Sequence, residues 1–412
     1  MIKNKNHLLL IGIVDGLTIV LYMLLKSPII LWISNLILMT LIIFKAKFSY
    51  FSLKTVLMNY VLIPTFYQYQ YGNSYGILEL SRLPLHFFDM NLFLIIYNSL
   101  CYIWITNTDI LSKEKEILQN YPTISKRSTY ILSFIAIISV CIAYPNFPFS
   151  SAHMENRFEA LLPGRAWNHL AIVSMLLCLP NLKKSKMVKF SYVFVGFWFL
   201  SHYERVDILG FFMGLLLMWC VNRKLQFKFK NLLLLGTILI PILALLTYMG
   251  DYRSGTKSFD IKSLLVHHTV SDISYVYNSG IQHKIDFGFY YGETYIRYIQ
   301  ELIPTVSSSY DVAQILSKRY NTPGGDYLLD EPIINFGIIG VILFQIVEFS
   351  ILYILMKKKG NYQFFVYVFL IMTIFRTHWY GLAYIETAMI YILPILYFIF
   401  IYLNKKKKKL VI

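Results

Sequence analysis

Long apolar runs, separated by short polar, basic or Pro/Gly-bearing stretches, set the pattern of this chain. They fall at 7–25, 28–44, 51–70, 85–105, 128–145, 166–180, 188–203, 207–222, 232–249, 332–356, 362–377 and 382–403. A helix crosses the hydrocarbon core of a bilayer with ~20 apolar residues and satisfies its own backbone while doing so. The pattern predicts an all-α fold: a polytopic membrane helical bundle of about 12 transmembrane helices. Continuous runs such as 232–249 exclude the alternating strands of a β-barrel. The seventh and eighth runs are short and separated only by Tyr203-Glu204-Arg205-Val206-Asp207, so they form either a tight hairpin of spans or one bent re-entrant pair.

Residues 250–331 break the pattern with a polar, tyrosine-rich insert holding ten of the 22 acidic residues. Within it, Tyr295, Ile296, Tyr298, Ile299, Leu302 and Ile303 recur at helical spacing, and Val312, Ile315 and Leu316 make a shorter amphipathic helix. Residues 261–277 fit a third. Such helices beside a membrane are expected in the headgroup plane or capping the bundle, with Arg297 and Arg319 solvated. They end at Pro304 and at Thr322-Pro323-Gly324-Gly325. Asp330 and Glu331 precede Pro332, where they serve either as first-turn dipole partners or as part of a polar site.

Composition agrees with a lipid-facing chain, at 57% apolar and 15% charged residues. Cys101, Cys141, Cys178 and Cys220 lie singly in apolar segments and read as small core residues. Lys3 and Lys5 precede an apolar stretch without a small-residue cleavage site, so the first span is expected to be retained.

Basic residues then orient the spans. An inside N-terminus collects 25 of the 38 Lys and Arg residues in the inner loops and in the tail Lys405–Lys409. Both termini are therefore expected in the cytoplasm. Residues 1–249 would carry nine spans and an outer loop at about 146–165, residues 250–331 a long extracytoplasmic loop, and residues 332–412 three spans and a basic tail. The net charge of +16 reflects this topology and attraction to anionic headgroups, and needs no nucleic acid.

Candidate chemistry gathers on the outer side. Arg157, Arg165, Arg205, Arg253 and Arg376 are placed there, and guanidinium groups hold diphosphate oxygens in bidentate fashion. Tyr203, Glu204 and Asp207 flank Arg205, with the two acids as its local partners. His378 and Glu331 are candidates for a base or an orienting group. No HExxH motif, clustered cation ligands or Walker loop is present, so no metal or cofactor is expected.

A short Arg-bearing turn opening a span, together with a late loop ending Gly324-Gly325-Asp326-Tyr327-Leu328-Leu329-Asp330-Glu331-Pro332-Ile333-Ile334-Asn335-Phe336-Gly337-Ile338-Ile339-Gly340, resembles the Wzy-type polymerases of O-antigen and capsular polysaccharide. The arginine followed about ten residues later by glycine, a pattern of some members, is absent after Arg157, Arg165 and Arg253. The resemblance implies metal-independent, inverting glycosyl transfer on the outer face of the bacterial cytoplasmic membrane. Its donor would be a glycan on undecaprenyl pyrophosphate, and its acceptor an incoming lipid-linked repeat unit. A chain-length regulator and a flippase would be partners. Arg165, Arg205, Arg253 and Arg376 would stabilise the departing pyrophosphate, with His378 or Glu331 acting on the attacking hydroxyl and Arg157, Tyr203, Glu204 and Asp207 contacting substrate. A ligase-like transferase shares the layout. A lipid-linked oligosaccharide flippase or exporter would instead place charges inside the spans, where Asp15, Asp89, Glu348 and Glu386 are the main ionisable groups. A membrane O-acyltransferase would need a histidine site that the sequence does not offer.

Overall fold

The computed structural model describes residues 5–72, 83–119, 122–145, 165–202, 204–223, 268–303, 311–358 and 360–402, with single positions at 230, 237, 241 and 244. These residues are helical, with no strand among them beyond an isolated bridge between Asp326 and Tyr380. The order is α1 (Lys5–Leu25), α2 (Ile29–Ala46), α3 (Tyr50–Asn59), α4 (Leu62–Tyr71), α5 (Phe87–Asn107), α6 (Ile110–Gln119), α7 (Lys126–Ala143), α8 (Arg165–Cys178), α9 (Lys186–Ser201) and α10 (Arg205–Asn222). There follow α11 (His268–Phe287), α12 (Ile296–Glu301), α13 (Val312–Tyr320), α14 (Asp330–Lys357), α15 (Asn361–Met372), α16 (Ile374–Tyr380) and α17, which starts at Ala383–Thr387 and continues through π-helical turns to Tyr402.

Among the described residues, five helices are long and apolar enough to cross a membrane: Ile29–Ala46, Phe87–Asn107, Lys126–Ala143, Asp330–Lys357 and Tyr384–Tyr402. Their surfaces fit that reading. α14 buries Val341, Phe349, Leu352 and Met356 yet exposes Ile339, Leu343, Val347, Ile351 and Ile354. A helix apolar on its outward face as well as its inward one suits lipid better than water.

Several expected runs change shape. The run 51–70 divides at Tyr60–Val61 into α3 and α4, because Pro64 has no N–H to return to the carbonyl one turn earlier. The run 362–377 stops at Thr373, so Arg376 sits on the separate short helix α16. α6 was not anticipated. Its Glu114 is buried and accepts a hydrogen bond from the Tyr50 backbone N–H at 2.7 Å, which caps the start of α3. The expected span 232–249 and residues 250–267 lie outside the described residues apart from 237, 241 and 244.

Of the insert's helices, α11 does not rest on the bundle as a surface helix, whereas α12 exposes Ile296 and Ile299. From Asp272 to Ile281 every residue of α11 is buried, and the helix packs along α14 with further contacts to α4, α5 and α13. Its Tyr277 hydroxyl donates to the Met90 carbonyl at 3.0 Å. Lys54, one of the 25 basic residues assigned to the inner side, is buried within the bundle, ion-paired to Glu348 and set against the rings of Tyr50 and Phe344. All four cysteines are free, with Cys101, Cys178 and Cys220 buried.

The stretch Glu331–Gly340 builds the entry to α14 residue by residue. Asn335 Oδ1 accepts from the Gly292 N–H at 2.7 Å, and its Nδ2 donates to Thr294 Oγ1 at 2.6 Å. Gly337 takes φ +59 inside the helix and kinks it, with the Phe289 ring 3.2 Å from where a Cβ would stand. At Gly340 a Cβ would lie 2.0 Å from the Pro332 carbonyl, so only glycine lets the two turns meet. Together these contacts dock residues 290–298 onto α14, and that docking positions Arg297.

Candidate active site

Two buried arginines, each held by carboxylates from distant parts of the chain, flank the single segment Arg376–Gly381. Arg376 is 7% exposed. Its Nε and Nη2 form a fork on Asp207, at 3.0 Å to Oδ1 and 2.9 Å to Oδ2, and Nη2 also binds Glu204. Both acids, expected as local partners of Arg205, hold Arg376. A planar guanidinium suits this bidentate geometry where a lysine would not. Asp207 Oδ2 also accepts from Asn168 Nδ2 at 3.2 Å, and the rings of Tyr380 and Tyr384 lie 5.2 and 5.6 Å from the guanidinium carbon.

The Asn168–Asp207 bond brings two helix starts together. α8 begins at Arg165, one turn before Asn168, and α10 begins at Arg205, two residues before Asp207. The first turns of both helices therefore meet at the Arg376 cluster, and helix N-termini carry partial positive charge. The structure places the backbones of Arg165 and Arg205. Arg157, Tyr203 and Arg253 lie outside the described residues.

Arg297, expected in solvent, is 2% exposed and is the centre of the second cluster. Its Nη1 reaches Asp311 at 3.2 Å, and its Nη2 reaches Asp326 at 3.2 Å and Glu331 at 3.3 Å. Asp311 also accepts from the Ala313 N–H at 2.9 Å, so one carboxylate both caps α13 and holds the arginine. The Tyr298 hydroxyl donates to Glu331 at 2.5 Å. Glu331 thus belongs to a polar cluster. Asp330 does the local work, accepting from the Tyr327 N–H at 2.9 Å.

The two clusters share a strut. The Asp326 N–H donates to the Trp379 carbonyl at 2.8 Å, and a Cβ on Gly381 would stand 3.0 Å from Asp326 Oδ2 and 3.3 Å from Arg297 Nη2. Gly381 has φ +69, a conformation that costs an L side chain about 1–2 kcal/mol before any clash. Gly381→Ala is expected to lower the melting temperature in detergent by several degrees. An unchanged melting temperature would show that the strut gives way easily.

His378, in the same segment, is buried between the rings of Tyr60 and Tyr327, with centroids at 5.4 and 5.0 Å. Its Nε2 has no hydrogen-bond partner among the described residues.

Among the described side chains, two acids face Arg376 and three face Arg297. Burial pushes the Asp326 carboxyl up to about 7, with Arg297 opposing and Glu331 and Asp311 adding to the rise. Arg297 is itself held protonated: burial opposes its charge, but Asp326 and Glu331 outweigh it. Asp326 Oδ1, Asp330 Oδ1 and Glu331 Oε1 are buried without partners among the described residues.

A raised carboxyl binds its proton more tightly in the folded state than in the unfolded one. Its contribution is complete below the unfolded value near 3.8 and is lost as pH rises to about 7. Wild-type stability minus that of Asp326→Asn is therefore expected to fall across this window and flatten above it. Thermal melts of both proteins at half-unit pH steps check this, and a flat difference would refute it.

Sequence reasoning missed Arg297, Asp311, Asp326 and Asn168. The one signal for Asp326 was its place after the paired glycines. Among the described residues, no group of three or more His, Cys, Asp or Glu side chains is arranged to hold a metal ion. Comparison with protein-family models, with curated proteins and with solved structures finds no match.

Proposed function

We propose that this chain is a membrane glycosyltransferase that polymerises undecaprenyl-pyrophosphate-linked repeat units into surface polysaccharide. In this reading it has about twelve spans, cytoplasmic termini and an outward-facing site in the bacterial cytoplasmic membrane. The observation that carries it is the convergence of the Arg165 and Arg205 helix starts on Arg376, beside a second cluster in which three acids face Arg297. Arginine-headed helix starts favour an anionic diphosphate. The ion-paired arginines 297 and 376 keep neighbouring carboxylates in place, and a carboxylate is the group that takes a proton from an acceptor hydroxyl.

The acceptor oxygen attacks the anomeric carbon from the face opposite the leaving group, so the configuration inverts. The bond to the pyrophosphate oxygen breaks, its electron pair leaves on undecaprenyl pyrophosphate, and the hydroxyl proton passes to a carboxylate. Charge grows on the pyrophosphate, where preorganised cations act most strongly.

One observation favours a second reading, a lipid-linked oligosaccharide exporter: the ion pair Lys54–Glu348 lies buried between α3 and α14, inside the expected spans. Reconstitution in vesicles with one lipid-linked repeat unit separates the readings. Polymerisation predicts a ladder of longer lipid-linked products without nucleotide sugar or metal. Translocation without elongation supports the exporter, and attachment to a different acceptor supports a ligase.

A further inference from the structure

The geometry points to a second substrate surface, a saccharide-binding groove at the ends of α1, α4 and α5 joined by their loops, well separated in sequence from the arginine clusters. It encloses about 480 Å³ and is lined by Pro28, Gln68, Tyr69, His86, Phe87 and Asp89, among others. The inference rests on the reading of the chain as a lipid-linked glycan transferase and names where the acceptor sugar sits.

Two features select a neutral sugar. Tyr69 is 40% exposed and its ring is backed by that of Phe87, with centroids 4.4 Å apart and planes 17° apart, so its outer face is a fixed apolar surface of the kind that packs against pyranose C–H faces. Asp89 engages no hydrogen-bond donor or basic group among the described residues, which leaves a bidentate acceptor for sugar hydroxyls. A groove that mixes an aromatic face with a few fixed polar groups is the usual form of a small-ligand site.

The wall is built and held. The His86 N–H donates to Asn278 Oδ1 at 2.9 Å, His86 Nε2 lies 2.6 Å from Gln282 Oε1, and Asn278 Nδ2 donates to the Pro84 carbonyl at 2.9 Å. Asn278 and Gln282 belong to α11, the helix that packs along α14 and so toward the Arg297 cluster.

The test uses the full chain in nanodiscs and, as probe, the delipidated repeat-unit oligosaccharide released by mild acid from lipid-linked material of the source cells. Saturation-transfer NMR and titration are expected to show contact on the ring protons. Binding should be about tenfold weaker in Asp89→Asn, the loss expected for one hydrogen bond to a charged group, and several-fold weaker in Tyr69→Ala. Tyr69→Phe should bind as wild type. Tyr69 is 40% exposed, so these variants leave the core intact. Unchanged binding in both Asp89→Asn and Tyr69→Ala, or displacement of the probe by phospholipid headgroup alone, would overturn the assignment. The two readings fail separately. If wild type elongates but neither variant raises the acceptor KM, the groove is wrong. If wild type binds the probe through Asp89 yet never elongates, the groove stands and the polymerase reading falls.

Discussion

Arg376→Ala is expected to abolish elongation and to destabilise the fold by about 3–5 kcal/mol, because it leaves two buried carboxylates without their cation. Glu204 is 1% exposed and Asp207 is 4% exposed, so water cannot replace the guanidinium without the bundle opening. Arg376→Lys should restore charge but not the fork on Asp207, recovering abundance more than activity. The decisive variant is the triple substitution Arg376→Met, Glu204→Gln, Asp207→Asn, which removes all three charges together. It should return most of the lost stability, since uncharged replacements of a buried ionic group are often well tolerated. Melting temperature and the ladder of lipid-linked products are measured side by side. A triple variant that is stable and still polymerises would reduce the cluster to a structural fastening.

Arg297→Ala should be nearly as costly, with a pH dependence of its own. Its removal leaves Asp311, Asp326 and Glu331 facing one another across a few ångströms, with two of them almost fully buried. Their mutual repulsion exists only when they are ionised. The deficit relative to wild type is therefore expected to be large at pH 8 and to shrink toward pH 5 as Asp326, whose carboxyl burial already raises, takes up its proton. Adding Asp326→Asn to Arg297→Ala should recover part of the loss at pH 8 and little at pH 5. Thermal melts of the single and double variants at both values check the sign. A deficit independent of pH would mean that the lost packing of Arg297 against Tyr298, rather than its charge, is what matters.

Hydrophobic periodicity carried most of the helical pattern, because a lipid-facing helix advertises itself over some twenty residues. The starts of α8, α10 and α14 were legible to within a residue or two. The break at Tyr60–Val61 was signalled by Pro64 but masked by the apolar residues around it. α11 was half legible: its length exceeds the expected segment, and burial on all sides cannot be read from residues such as Asp272, Asn278 and His283, which look solvent-facing until their partners are known. The same limit governs the site. Glu204 and Asp207 are neighbours of Arg205 in sequence, and only the fold reveals that α16 delivers Arg376 to them. Arg297 sits among Glu293 and Glu301, yet its partners come from three later turns of chain. Local spacing identifies which residues carry charge, whereas long-range packing decides which charges meet.

The separation of Arg376 from its partners has a consequence for synthesis of the chain. Asp207 precedes it by 169 residues and Glu204 by 172. At about 5–20 residues per second, the two acids wait roughly 10–30 s in a half-made bundle before their cation is translated. During that interval the start of α10 lacks its Arg376 anchor, and a ribosome stalled before residue 376 leaves behind a protein without the fork on Asp207. Such products should be conspicuous substrates for membrane quality control, so the last tenth of the chain acts as the clasp that certifies the rest.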